Sequence, residues 1–284
     1  MIVIIMNKTL QLTPSEIEEL LTKIGRQYLV TPGPYMRYKL NKDGSIVNIY
    51  ESGKVVFQGK ELKDFTFKLT PAEYPQCGSD EVGTGDYFGP IVVCATLVTK
   101  DKVKKLQQLG VGDSKGINDQ IIRKIAPELI ELLPHSICLL TPEKYNEVCT
   151  LNNMNKIKAR LHNQCYLNLE KKVGELPALK VIDQFTPEKQ YYAYLNNEER
   201  VITGIHFETK AENAYLCVGA GSIIARYAFL KTFDQYEELF HITFPKGAGA
   251  KVDQFGKQFL KDYGTKEFNK YAKLNFKNTE KIKE

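Results

Sequence analysis

Apolar and polar positions change rhythm along this chain near Tyr74. Before that point short segments of strand character dominate, beginning with Met1–Leu12. Thr13-Pro14-Ser15-Glu16 then predicts a helix start. Thr13 caps, Pro14 occupies the first turn, where no N–H is needed, and Glu16 completes a capping box. Ile17, Leu20, Leu21 and Ile24 follow at i, i+3, i+4 and i+7, which gives the helix one apolar face. Strand segments come next at Met36–Leu40, Ser45–Tyr50, Lys54–Gln58 and Phe65–Leu69, with turns at Asn41–Gly44 and Glu51–Gly53. One strand, a helix and several strands imply an antiparallel sheet with a helix on one face and the other face open. Pro71–Pro75 reads as a linker, so residues 1–70 and 71–284 are expected to be separate domains.

From Tyr74 onward strands alternate with longer helical stretches. Ile91–Val98 is a nearly continuous apolar run, as expected of a strand buried on both faces. Ala178–Ile182 is similar apart from Lys180, while Asn153–Lys172 and Ala214–Phe233 read as helices. This is an α/β layer pattern. The lysine-rich stretch after Lys266, poor in apolar residues beyond Phe276, predicts a frayed helix.

Composition adds limits. With 284 residues, 43% of them apolar and 26% charged, the chain is ordinary for a soluble globular protein of one or two domains. Its net charge of +5 permits a polyanionic partner without requiring one. None of Cys77, Cys94, Cys138, Cys149, Cys165 and Cys217 stands in a C-x-x-C spacing, which suits buried thiols in a reducing compartment. Met1–Met6 is too short for a signal peptide and lacks a basic start, and no segment approaches the ~20 apolar residues of a membrane span. A cytoplasmic protein without a membrane role is expected.

The segment richest in chemistry is Gly78-Ser79-Asp80-Glu81-Val82-Gly83-Thr84-Gly85-Asp86-Tyr87-Phe88-Gly89-Pro90. Two adjacent carboxylates end a strand and run into a glycine-rich turn. In a regular strand Asp80 and Glu81 point to opposite faces, so both serve one site only if the strand ends or distorts there. The glycines permit such a break and let backbone N–H groups approach a ligand. A solvated acidic turn is the competing reading. Asp183 closes the run Leu179–Ile182, where open α/β sheets place ligands. Glu212 stands at the start of a long helix, where its role could be no more than a favourable dipole interaction, and Glu208 competes with it. Carboxylates without His or Cys favour a hard cation, Mg²⁺ or Mn²⁺, over zinc.

Gly78–Pro90 resembles the signature of type 2 ribonucleases H, and its Gly83-Thr84-Gly85 variant resembles ribonuclease HIII. The similarity continues through Asp113-Ser114-Lys115, Val181-Ile182-Asp183, Lys210-Ala211-Glu212, Gly219–Arg226 and Lys273–Glu280. It implies a ribonuclease H-like mixed sheet flanked by helices. It also implies a small α+β domain like the TATA-box-binding protein ahead of that sheet, joined to the similarity by Ser52-Gly53-Lys54 and Phe57–Lys60. By the same resemblance, Asp80, Glu81, Asp183 and Glu212 are the catalytic acids, with Asp80, Glu81 and Asp183 holding Mg²⁺ or Mn²⁺. Two such ions would cut the RNA strand of an RNA–DNA hybrid, leaving 5′-phosphate and 3′-hydroxyl ends. Gly83, Thr84, Gly85 and Lys115 are expected to touch the substrate, and His162 is expected to be structural. Thr84 stands where ribonuclease HII has Arg, which weakens an alternative activity on single ribonucleotides in DNA. A catalytically dead nucleic-acid binder is the other alternative, and the presence of all four acids opposes it. No protein partner is implied, and a monomer is expected.

Residues 1–70 hold ten Lys or Arg against seven Asp or Glu, a small positive surplus. Alternation would place Tyr35, Arg37 and Lys39 on one face with Met36 and Tyr38 on the other, and would leave Tyr50 and Phe57 able to pack on sugars or bases.

Overall fold

The computed structural model describes residues 6–12, 14–59, 74–112 and 117–284. Two compact units emerge, Met1–Ala72 and Glu73–Glu284.

In the first unit, β1 (Met6–Gln11) is followed by α1 (Pro14–Ile24), β2 (Leu29–Val30), β3 (Met36–Lys42), β4 (Ser45–Tyr50) and β5 (Lys54–Gly59). The strands form an antiparallel sheet in the order β1-β5-β4-β3-β2. The predicted stripe of α1 is buried: Ile17, Leu20, Leu21 and Ile24 pack with Leu40, Val47, Ile49, Val55 and Phe57. Phe57 therefore fills the core of this unit and cannot pack on sugars or bases. Tyr35 is not part of a strand face either. It precedes β3 at a left-handed φ of 61° and is 87% exposed. Arg37 is exposed beside a register irregularity, and Tyr38 rests against the core. The short β2 was not foreseen. Thr13 and Phe65–Leu69 lie outside the described residues.

The second unit runs β6 (Gln76–Val82), β7 (Ile91–Val98), α2 (Val103–Gln108), α3 (Asp119–Leu132), β8 (His135–Leu140), α4 (Pro142–Val148), α5 (Met154–Val173), β9 (Leu179–Asp183), α6 (Glu188–Tyr194), β10 (Ile205–Glu208), α7 (Leu216–Phe240), α8 (Ala250–Tyr271) and α9 (Asn278–Lys283). Its sheet has the order β10-β9-β6-β7-β8; the β10/β9 and β9/β6 pairs are parallel and the others antiparallel. All eight residues of β7 are buried, as its unbroken apolar run predicts. Val92, Cys94 and Val98 face the core built around α7, and Val93, Ala95 and Leu97 face the one built around α5. Close approach of α7 depends on missing side chains. A Cβ on Gly221 would stand 2.8 Å from the carbonyl oxygen of Cys94, and one on Gly78 would stand 2.6 Å from Sγ of Cys217.

Among the described residues α7 is long and apolar enough to cross a membrane by length and composition, contrary to the expectation that no segment comes near. Two-thirds of its most apolar window is buried in this unit, as befits a core helix. The C-terminal stretch also departs from the frayed helix expected of it. After a break at Gly264 (φ 76°), Phe268 and Ala272 are buried, Lys273 is fully buried, and α9 buries Asn278 and Ile282. Its polar residues are consumed internally: Asn278 donates to the carbonyl of Ala248 at 2.9 Å, and the Tyr87 hydroxyl meets Oγ1 of Thr279 at 2.9 Å.

Candidate active site

β6 carries Asp80 and Glu81 just before its end, and period-two alternation sends them to opposite sides of the sheet. Asp80 turns toward α7, where the hydroxyl of Ser222 donates to its carboxylate. The Glu81 N–H donates to its Oδ1 at 2.7 Å. Burial, then the negative charges of Glu81 and Asp183, push its carboxyl up to about 7. Glu81 turns toward α5. Lys158 Nζ donates to its Oε1 at 2.8 Å, and His162 Nε2 to its Oε2 at 2.9 Å. Burial works to raise this carboxyl, but the hydrogen bonds and charges of His162 and Lys158 outweigh it and hold the group below its ordinary value.

Asp183 closes β9. Ser79 of β6 pairs with Ile182, so Asp80 and Asp183 each follow the last paired residue on neighbouring parallel strands. Oδ1 of Asp183 accepts from the Ala211 N–H at 2.9 Å. Burial and the charge of Glu81 raise its carboxyl in spite of that amide. The turn that supplies the amide begins at Lys210, whose left-handed φ of 60° aims the chain back at β9 and sets Glu212 on the following short helical turn. Glu212 accepts from Asn213 Nδ2 at 2.8 Å. Together with Glu81 and Ser222 it lines a cleft of about 270 Å³ that Gly112 and Ile117 also border.

Two other acids nearby are already engaged. Glu208 accepts from the Tyr215 hydroxyl at 2.9 Å and from His206 at 3.0 Å. Asp119 lines the cleft, but its hydrogen bonds to Arg226 and Lys246 hold it down at about 2. Among the described residues, Asp80 and Asp183 by contrast accept only from neutral donors, and they repel each other. That charge balance and the all-oxygen donor set fit a hard divalent cation. The acids do not converge on one point as they stand: among the described residues no group of three or more His, Cys, Asp or Glu is placed to hold a metal ion. Glu81 is held by Lys158 and His162 on the cleft wall, within range of the charges of Asp80 and Asp183, and Glu212 is held by Asn213.

The glycine-rich turn divides into two kinds of position. Gly83 is buried at φ +89°, and a Cβ there would stand 2.1 Å from the carbonyl oxygen of Pro90 and 3.0 Å from the Phe229 ring. Its freedom serves the turn itself. Gly85 is exposed, and a Cβ there would meet nothing among the described residues within 4 Å. Thr84 between them is half-buried. Lys115 lies outside the described residues. Sequence reasoning passed over Lys158 and Ser222 and took His162 as merely structural. The available signals were the i, i+4 spacing of Lys158 and His162 and a lone hydroxyl in the apolar run Gly219–Ala225.

Known proteins resemble this chain along nearly its whole length. The ribonuclease HII family profile covers residues 77–279, and a profile described as a domain of unknown function covers residues 7–78. Ribonuclease HIII of Streptococcus gordonii is 42% identical, the alignment covering 96% of this chain and 97% of that protein. Ribonuclease HIII of Lactococcus lactis is 38% identical over 97% of this chain and 98% of that one. Among solved structures, Bst-RNase HIII in complex with Mn²⁺ superposes with a TM-score of 0.72 at 32% identity, covering 98% of both chains.

Proposed function

The chain belongs to the ribonuclease HIII family, and from that premise we propose that Asp80, Glu81, Asp183 and Glu212 form the divalent-metal site at which it cuts the RNA strand of RNA–DNA hybrids. It is a ribonuclease H, a metal-dependent endoribonuclease that uses Mg²⁺ or Mn²⁺. The observation that carries the assignment of residues is the pair Asp80 and Asp183. They follow the last paired residues of neighbouring parallel strands, burial and like charge raise both, and among the described residues only neutral donors serve them.

When bound, divalent ions at such a site supply positive charge to the attacking and leaving oxygens of an in-line phosphoryl displacement. The chain's own groups do the rest. Asp80 and Asp183 would hold the ions, with Glu81 and Glu212 at the flanks of the cleft. The exposed backbone at Gly85 leaves room for a ribose 2′-hydroxyl, the group that separates RNA from DNA. Lys115 is assigned to a substrate phosphate. The leaving group is the 3′ oxygen, which gives 5′-phosphate and 3′-hydroxyl ends.

Residues 1–70 are assigned to binding the hybrid through exposed Arg37 and Tyr35, and residues 71–284 to catalysis. A cytosolic monomer is proposed; all six cysteines are free thiols, which suits a reducing compartment. The test compares a labelled RNA–DNA hybrid, a duplex with one ribonucleotide and plain duplex DNA, each in Mg²⁺ and in Mn²⁺. Cleavage of the hybrid well ahead of the single-ribonucleotide duplex, with plain DNA intact, is expected. An uncut hybrid in both metals would overturn the reading.

A further inference from the structure

Both oxygens of Glu81 are engaged by one face of one helix. Lys158 and His162 stand one turn apart on α5 and reach Oε1 and Oε2 at 2.8 and 2.9 Å. These two are themselves held. Oγ of Ser79 lies 2.7 Å from Nδ1 of His162, and both residues are fully buried. The Phe185 ring stacks on His162 at 5.3 Å between centroids and lies 4.0 Å from Nζ of Lys158. Lys158, although charged, is only 8% exposed.

The hydrogen-bond chemistry has one solution at the Glu81 end. An ionised carboxylate only accepts, so Nε2 of His162 carries a hydrogen. Nδ1 then accepts from Ser79 if the ring is neutral and donates to it if the ring is charged. In either state Nε2 stays aimed at Glu81. A glutamate at a strand end would otherwise rotate about its side-chain bonds. Here each oxygen accepts one fixed hydrogen bond and keeps a lone pair.

We propose that Lys158 and His162 are positioning residues that fix the Glu81 carboxylate for metal ligation, with Ser79 and Phe185 fixing them in turn. The inference rests on the metal-site assignment above. Hydrogen-bond partners of ligating carboxylates typically change metal affinity or activity by about 10–100-fold when removed.

The test uses the full chain and Mn²⁺ alone as probe, its binding followed by the electron paramagnetic resonance of the unbound ion. His162→Gln and His162→Asn form a matched pair. A Gln amide nitrogen takes the place of Nε2 and can still reach Glu81; an Asn amide nitrogen takes the place of Nδ1 and cannot. Mn²⁺ binding is expected to weaken at least tenfold in His162→Asn and to stay within about threefold of wild type in His162→Gln. Lys158→Met is expected to weaken it at least tenfold as well, although loss of a positive charge beside the site would by itself tighten it. Hybrid affinity in EDTA should be unchanged in all three, and melting curves report whether each is folded.

Equal Mn²⁺ affinity in the two His162 variants would overturn the positioning role of that ring, and tighter binding in Lys158→Met would overturn that of Lys158. Asp183→Asn separates this failure from failure of the site itself. If it loses Mn²⁺ while the His162 variants do not, the site stands and the clamp falls. If it keeps Mn²⁺, the metal-site assignment falls and takes the clamp with it.

Discussion

Nζ of Lys273 lies 2.7 Å from the carbonyl oxygen of Asp86, joining the C-terminal stretch to the glycine-rich turn that follows the two acids of β6. The same nitrogen reaches the carbonyl of Gly89 at 2.5 Å, and the Lys273 N–H donates to the carbonyl of Tyr87 at 2.9 Å. Burial pushes the amine down to about 7. A neutral amine has two N–H donors, and two carbonyls receive them. The C-terminal motif is therefore a strut for the turn.

Lys273 gives stability a pH dependence of known sign. Between about 7 and 10.5 the unfolded chain carries a proton that the folded chain has released, so resistance to unfolding rises with pH across that window. Below 7 both states are charged and the slope vanishes. The urea midpoint of wild type minus that of Lys273→Met should grow from pH 7 to pH 10. Parallel midpoints would mean that Lys273 stays charged in the fold.

Gly83 and Gly85 should separate folding from substrate contact. Gly83→Ala places a Cβ against Pro90 at a positive φ, costing about 1–2 kcal/mol for the backbone conformation before the clash is counted. It should melt earlier than wild type. Gly85→Ala meets no atom of the described residues, so its melting curve should match wild type, while its cleavage of hybrid should fall at least tenfold, about 1.4 kcal/mol. Full activity in Gly85→Ala would remove that position from the substrate surface.

Each unit has its own buried core, so a chain beginning at Pro71 should fold. It should bind hybrid at least tenfold more weakly, about 1.4 kcal/mol, and with a shallower dependence on salt because fewer phosphates are neutralised. Affinity titrations at several salt concentrations check both. Equal affinity and equal slope would mean that the first unit does not bind the substrate.

What could be read in the sequence were the features that repeat with the backbone's own period. The apolar run of β7 and the stripe Ile17, Leu20, Leu21, Ile24 met their cores as expected. Alternation in β6 sends Asp80 and Glu81 to opposite faces, and the break that a shared site required is the end of β6's pairing with β9 at Ser79, not a distortion of β6 itself. What failed depended on partners distant in sequence. Phe57 looked available because its strand had an unassigned inner face, and the C-terminal stretch looked frayed because its buried polar groups find partners far back in the chain. His162 looked inert because its contact with Glu81 spans 81 positions.

Whether Asp80 and Asp183 hold the metal that drives cleavage is tested most directly by paired amide substitutions. Asp80→Asn and Asp183→Asn keep shape and remove charge. Turnover of a labelled hybrid and hybrid affinity should be measured for both in Mg²⁺ and Mn²⁺. Both variants should bind hybrid about as tightly as wild type and cleave it below a tenth of the wild-type rate, a barrier increase of more than about 1.4 kcal/mol. A variant that keeps more than a tenth of the activity would contradict the assignment of its residue to the metal site.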